Sequence, residues 1–145
     1  MLLPGLYSLL SSSPSAAAVQ ALLGAPATGS VFIVAAIKQA NRPFLVLNRV
    51  GAPPAASTLD GISQLIDGEI QFDSYADTPQ QAQQLSLAVR DYLMTTFNAG
   101  ALPDGTTIQF VDVTADHDEG REEGGIGYLY RSLLRLKALY TESTS

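Results

Sequence analysis

A change of hydrophobic period within residues 63–97 constrains the fold more than any other feature of the chain. Residues 63–75 alternate as a strand does, with Ile70 and Phe72 pointing to one side. The polar residues expected on the other side are Gln71 and Asp73. Residues 80–97 then carry apolar side chains at spacings of three and four, as in a helix with one buried face. This order predicts a sheet with a long helix packed against it.

The junction between this strand and helix contains its own start and stop signals. Thr78 is a suitable cap for a helix, and Pro79 suits the first helical position. Asn98 and Gly100 are expected to end the helix. A change of phase at residues 67–68 predicts a bulge or bend in the strand.

The remaining elements are read in the same way. Two N-terminal helices and four more strands are predicted, separated by two long loops. The helices are residues 5–12 and 15–23, and the strands are 31–37, 44–50, 106–113 and 128–140. The loops are residues 51–61 and 114–125. We therefore expect one α+β domain over residues 1–145, with a mostly antiparallel sheet of about five strands and an N-terminal helix pair beside the long helix.

The last of these strands has an alternative. Residues 128–140 also fit a helix, with leucines and tyrosines on one face. The regular alternation of Arg131, Leu133, Arg135 and Lys137 favours a strand, because these side chains then share one face. Such a strand is expected to pair with residues 108–113.

Composition excludes several classes of function. The chain has no cysteine and one histidine, which rules out disulfides, thiol catalysis and a site built from several histidines of one chain. No apolar run approaches the roughly 20 residues that span a bilayer, so no membrane partner is expected. The N-terminal apolar stretch lacks a basic region before it and is read as part of the fold. Charged residues make up only 15%, which suggests a surface partly covered by sister subunits.

Charge is distributed unevenly along the chain. Residues 1–59 carry +3 with no acid, residues 60–125 carry -11, and residues 126–145 carry +2. Segments of opposite sign allow copies of the chain to attract one another head to tail, although acids in solvated loops give the same pattern. The absence of a basic cluster argues against specific binding of nucleic acid.

The acidic segment from Asp112 to Glu123 is the most distinctive candidate site. Its oxygen-bearing residues match positions 1, 3, 5, 7 and 12 of a calcium-binding loop. However, His117 stands where the sharp turn requires glycine. A histidine among acids also suits a general base or a metal cluster, but a solvated loop explains it better. No nucleophile elbow or phosphate-binding loop occurs, so we expect neither an enzyme nor a bound cofactor or metal.

The whole chain resembles the tail-completion, or tail-terminator, proteins of long-tailed phages, prophages and gene transfer agents. Three stretches carry most of the resemblance: LYSLLSSSPSAAAVQALLG, NRPFLVLNRV and GEIQFDSYADTPQQAQQLSLAVRDYL. A strand, an acidic segment and a terminal strand follow them in the same order as in that family.

The resemblance implies a structural role in a virion or virus-like particle, after assembly in the host cytoplasm. Such proteins form a ring, usually a hexamer, at the head-proximal end of the tail tube. The expected partners are further copies of the chain, the tail tube protein and a head–tail connector or adaptor, with DNA passing through the lumen without specific binding. The residues expected at an interface or in the lumen are Asp116, Asp118, Glu119, Arg121, Glu122 and Glu123. The alternatives are a head–tail adaptor subunit and a small-ligand-binding domain.

Overall fold

A computed structural model describes residues 2–34, 42–51, 54–57, 63–103, 106–122 and 128–143. It confirms the α+β class. Within these ranges seven strands form one sheet, two more than the sequence predicts. The strands are β1 (Val31–Ile33), β2 (Phe44–Gly51), β3 (Pro54–Ser57), β4 (Ser63–Ala76), β5 (Ala99–Ala101), β6 (Thr107–Glu122) and β7 (Tyr128–Ser143).

Three α-helices complete the described fold. They are α1 (Leu2–Ser12), α2 (Ala17–Leu22) and α3 (Pro79–Asp91). Short 3-10 turns at Pro14–Ala16 and Ala27–Gly29 flank α2, and a π-helical turn at Tyr92–Phe97 continues α3. The predicted N-terminal helix pair and long helix are therefore present.

The sheet is centred on β4 and β7, which pair antiparallel over all fourteen residues of β4 with no shift of register. Successive neighbours follow the order β1-β2-β4-β7-β6-β5, and only β1 and β2 run parallel. The bulge predicted at residues 67–68 is wrong, because Asp67 and Gly68 continue the ladder opposite Leu139 and Ala138. The irregularities lie instead on the strands along the other side of β4.

Those strands are β2 and β3, which follow one another along a single edge of β4. Gly51 pairs with Glu69, and Pro54 pairs with Ile66 in the same register. The loop predicted over residues 51–61 is therefore wrong for Gly51 and for residues 54–57, which are strand; residues 52–53 and 58–61 lie outside the described ranges. Proline is compatible with this position because β3 is an edge strand within the described sheet.

β6 and β7 form a long hairpin, and residues 123–127 between them lie outside the described ranges. Two register shifts interrupt β6, one between Phe110 and Asp112 and one between Val113 and Ala115. The first shift turns Val113, rather than Asp112, toward the core on the side of Ile108 and Phe110. Plain alternation from Ile108 and Phe110 would place Asp112 there instead, because it does not include a bulge.

All helices pack on one face of the sheet, called the helix face below. The core beneath them combines Leu6 and Leu10 of α1 with Leu85 and Val89 of α3. The strands contribute Leu45, Leu47, Ile70, Phe72, Leu134, Leu136 and Tyr140, all essentially excluded from solvent. This set confirms the side assigned to Ile70 and Phe72 from the sequence.

The ends of α3 agree with the predicted signals. The Thr78 hydroxyl accepts a hydrogen bond from the Gln81 amide at 3.2 Å, and Pro79 is the first helical residue. At the other end, the Asn98 amide donates to the Leu93 carbonyl at 2.9 Å, five residues back. Asn98 itself has a φ of 54°, which asparagine tolerates better than most residues. The wider π turn shifts the phase of the helix, so Thr96, which would lie on the buried stripe of a regular helix, is exposed.

Candidate assembly interface

Five of the six predicted interface residues, all but Glu123, lie on the part of the hairpin farthest from β5. This part is here called the distal hairpin and is defined as residues 114–122 and 128–135. The loop predicted over residues 114–125 is wrong for residues 114–122, which continue β6. Pairing with β7 explains the difference, since a long partner strand holds this polar segment extended. Sequence alone underestimates such a strand because Asp and Gly are poor strand formers.

Asp116 and Asp118 tie the distal hairpin to α3. The Asp118 carboxylate accepts hydrogen bonds from the Gln83 amide group at 2.8 Å and from the Ser132 hydroxyl at 2.6 Å. Asp116 receives the Arg90 guanidinium at 3.4 Å. Both carboxylates therefore already have partners within the subunit, on the helix face.

The other predicted residues continue the same strand toward its end. Glu119 pairs with Arg131, Arg121 with Leu129, and Glu122 with Tyr128 in the register of the hairpin. Glu123 lies outside the described residues. The role of these residues at an interface or in a lumen stays a prediction.

The calcium-loop and histidine hypotheses do not fit this geometry. Asp112, Thr114, Asp116 and Asp118 lie along an extended strand, not around a turn that would gather their oxygens. His117 is exposed and pairs with Leu133. Among the residues that the structure describes, no group of three or more His, Cys, Asp or Glu side chains is arranged to hold a metal.

A buried polar network on the sheet face opposite the helices, the far face, was missed by sequence reasoning. The Asp73 carboxylate accepts from Arg131 at 3.0 Å and from the Gln71 side-chain amide at 2.9 Å. The Arg135 guanidinium in turn donates a hydrogen bond to the side-chain oxygen Oε1 of Gln71 at 2.9 Å. The Asp73 side chain is only 5% exposed, and that of Arg131 is 19% exposed. The network thus fixes β4 against β7 through paired charges that water reaches poorly.

A detectable signal for this network existed in the alternation of both strands. The sequence places Gln71 and Asp73 on one side of their strand, and Arg131 and Arg135 on one side of theirs. The missing information was that β4 and β7 are neighbours, since the sequence prediction paired β7 only with residues 108–113. That predicted pairing is also present in the hairpin.

A small aromatic cluster extends the far face toward β1. Phe44 stacks on Tyr75 with ring centres 5.0 Å apart and an interplanar angle of 18°. Phe32 meets Phe44 edge to face at 6.0 Å. Val46 and Leu129 complete this second apolar cluster. Apolar packing therefore supports both faces of the sheet.

Comparison with known proteins assigns the chain to a family. The family model described as tail completion protein gp17 matches residues 5–141. The chain belongs to the tail completion protein family. The match includes all of α2 and α3 and every strand from β1 to β6, so it rests on the whole fold rather than on one motif.

The chain is also similar to one of known structure. A chain from the solved virion of a native gene transfer agent particle is similar at 16% identity, covering 96% of this chain and 94% of its own length, with a TM-score of 0.48. No curated protein matches the chain.

Membership in the tail completion family makes this chain a structural protein of a phage-type tail, as the resemblance implied. The location is the virion tail. No helix within the described ranges is long and apolar enough to cross a membrane.

Proposed function

We propose that this tail completion protein ends polymerisation of the tail tube and joins the finished tail to the head-side connector. The family match over residues 5–141 carries this proposal. In this role it acts as a ring, usually of six copies, and contacts the tail tube protein on one side and the connector or adaptor on the other. It needs no catalytic group, cofactor or metal for this work, because its function is to present surfaces that fit.

The charge distribution supports a ring. A closed ring requires head-to-tail contacts between two different surfaces of the same chain. The acid-free segment 1–59 and the acidic segment 60–125 carry net charges of opposite sign. The low proportion of charged residues, 15%, is consistent with a subunit whose surface is largely covered in its assembly.

An acidic lumen is part of the proposal. Glu119 and Glu122 belong to β6, Glu123 follows them in the sequence, and we propose that these acids line the lumen. Like charge keeps DNA from binding to the wall, so the genome passes without specific contacts. Asp116 and Asp118 have the separate task of holding the hairpin on α3.

Deletion of the gene followed by electron microscopy of the particles tests the proposed role. Tails of irregular or excessive length, detached from full heads, are the expected result, and the wild-type gene supplied in trans should restore joined particles. Normal joined particles in the deletion strain would refute the role.

The same experiment separates the terminator from the adaptor alternative. A subunit that acts only on the head side leaves tail length uniform, while heads and tails stay apart. Co-purification gives an independent answer, since a terminator retains the tube protein and an adaptor retains the portal-side ring.

A further inference from the structure

Both outer edges of the described sheet are left largely open. β5 pairs with β6 only at residues 107–109, and the Phe110 amide then bonds to the Asn98 carbonyl at 2.9 Å. On the opposite side, β1 pairs with β2 only at residues 45–47. Within the described part of the chain, no strand pairs along the outer side of residues 111–122 or of residues 48–51 and 54–57. Open strand edges present backbone donors and acceptors that another strand can bind.

The acidic residues of β6 disfavour pairing between this edge and the same edge of a second copy. It contains five acids, Asp112, Asp116, Asp118, Glu119 and Glu122, against one arginine. Like charges placed opposite one another destabilise a strand pair, so two copies of β6 repel each other. This argues against a symmetric dimer through this edge.

The opposite edge has the complementary character. β1, β2 and β3 contain no acid, and their one basic residue is Arg49. Arg49 lies on β2 in the open part of this edge. An acidic edge on one side of the sheet and an acid-free edge on the other favour pairing between different edges of neighbouring copies.

Strand direction permits this pairing. β2 is antiparallel to β4, β4 to β7, and β7 to β6, so β2 and β6 run in opposite directions. When a second copy is placed beside the first in the same orientation, its β2–β3 edge is antiparallel to β6. Antiparallel pairing is the more stable arrangement per residue.

Each edge also carries one exposed valine at a register shift. Val50, between Arg49 and Gly51, is 44% exposed, and Val111, between Phe110 and Asp112, is 46% exposed. Burial of such side chains against a neighbour would add apolar contact to the charge attraction.

We propose that neighbouring copies join by antiparallel pairing of β6, at residues 111–122, with the β2–β3 edge of the next copy. The partner is thus a second copy of this chain, and the contact is head to tail. This proposal rests on the proposed ring and names the surfaces that close it.

Cross-linking tests the contact directly, because the chain contains no cysteine of its own. The double variant Val50→Cys with Val111→Cys is introduced into the host gene, and purified particles are treated with a short flexible bismaleimide. The flexible reagent is chosen because the proposal fixes the two edges but not the register between them. We expect a ladder of covalent multimers on a denaturing gel that ends at the size of the closed ring.

The single variants are the matched controls. Val50→Cys and Val111→Cys, each alone, should yield monomers, because identical edges do not meet. Dimers from Val111→Cys alone would overturn the proposal in favour of a symmetric contact. The pair Asn48→Cys with Val111→Cys keeps every charge of the two edges and repeats the test in case the first double variant does not accumulate as folded protein.

The outcome also separates this contact from the proposed function. If both double variants give particles with normal, joined tails and neither yields a ladder, the edge contact is refuted while the terminator role stands. If the gene deletion leaves tails normal, the function fails independently of any cross-link.

Discussion

At the scale of single residues, Asp73 is the side chain that most depends on its neighbours. It is a carboxylate on a central strand, 5% exposed, with Arg131 at 3.0 Å. The side-chain amide of Gln71 also donates a hydrogen bond to the Asp73 carboxylate at 2.9 Å. The side-chain oxygen of Gln71 in turn accepts one from Arg135. A buried charge is tolerated only when it is paired and hydrogen-bonded in this way.

Replacement of Asp73 should therefore destabilise the subunit strongly. We expect Asp73→Ala to lower the free energy of unfolding by about 3 kcal/mol, because it leaves Arg131 without this carboxylate in a poorly solvated site. Chemical denaturation of the purified chain measures the effect.

Asp77→Ala is the matched control. Asp77 also binds an arginine, Arg42, at 2.7 Å, but its side chain is 64% exposed. Its loss should cost less than about 1 kcal/mol. If the two variants lose the same free energy of unfolding, burial of the Asp73–Arg131 pair does not contribute to stability.

At the scale of elements, the β6–β7 hairpin depends on α3 for its position. Asp118 receives Gln83 from the helix and Ser132 from the partner strand. Asp116 receives Arg90, which lies about two helical turns further along α3. Polar side-chain contacts thus add to the apolar core, which includes Leu134, in attaching the distal hairpin to the helix.

Removal of the Asp118 carboxylate should loosen the distal hairpin without unfolding the sheet. We expect Asp118→Ala to speed amide hydrogen exchange at residues 114–122 by about tenfold, which corresponds to the loss of roughly 1.4 kcal/mol of hydrogen bonding. Residues 66–72 of β4 should exchange as before.

Asp112→Ala serves as the control, because it removes an exposed acid from the same strand. The Asp112 carboxylate accepts a hydrogen bond from the adjacent Val113 amide at 2.8 Å. Faster exchange in both variants alike would mean that general charge, rather than the contact with α3, determines the effect.

Elements with local signals were predictable from the sequence. Thr78 and Pro79 start α3 as expected, and the alternation of residues 128–140 correctly favoured a strand over a helix. β3 and the second half of β6 were missed because their strand state comes from pairing with β4 and β7, not from their own composition. The Asp73 network was missed for the same reason, because it depends on which strands are neighbours.

At the scale of the whole molecule, one sheet contains every described strand. The same sheet separates charge, with the acid-free segment along one edge and acidic β6 near the other. Charge thus serves two proposed purposes: attraction between copies and repulsion of DNA in the lumen.

Neutral variants of the lumen acids test the second purpose. Glu119→Gln and Glu122→Gln together should lower DNA transfer several-fold or leave DNA retained in the tail, because the wall repels the phosphate backbone less. Tail length should stay normal. Counts of transferred genomes per physical particle measure the effect.

Asp77→Asn with Asp91→Asn removes the same number of charges at the two ends of α3, where both side chains are exposed. This control should transfer DNA normally. Unchanged transfer in the glutamine variant would refute the acidic lumen, and equal loss in both variants would assign the effect to net charge alone.

The two bulges in β6 have a consequence for comparisons among relatives. The extra residues at Val111 and Thr114 mean that β6 advances by two positions more than β7 over the same length. A relative that lacks one of them would turn every later residue of β6 to the opposite side of the sheet, whereas a relative that lacks both would keep the sides. Insertions and deletions here therefore carry as much information about which residues meet a neighbour or the DNA as the residue types themselves.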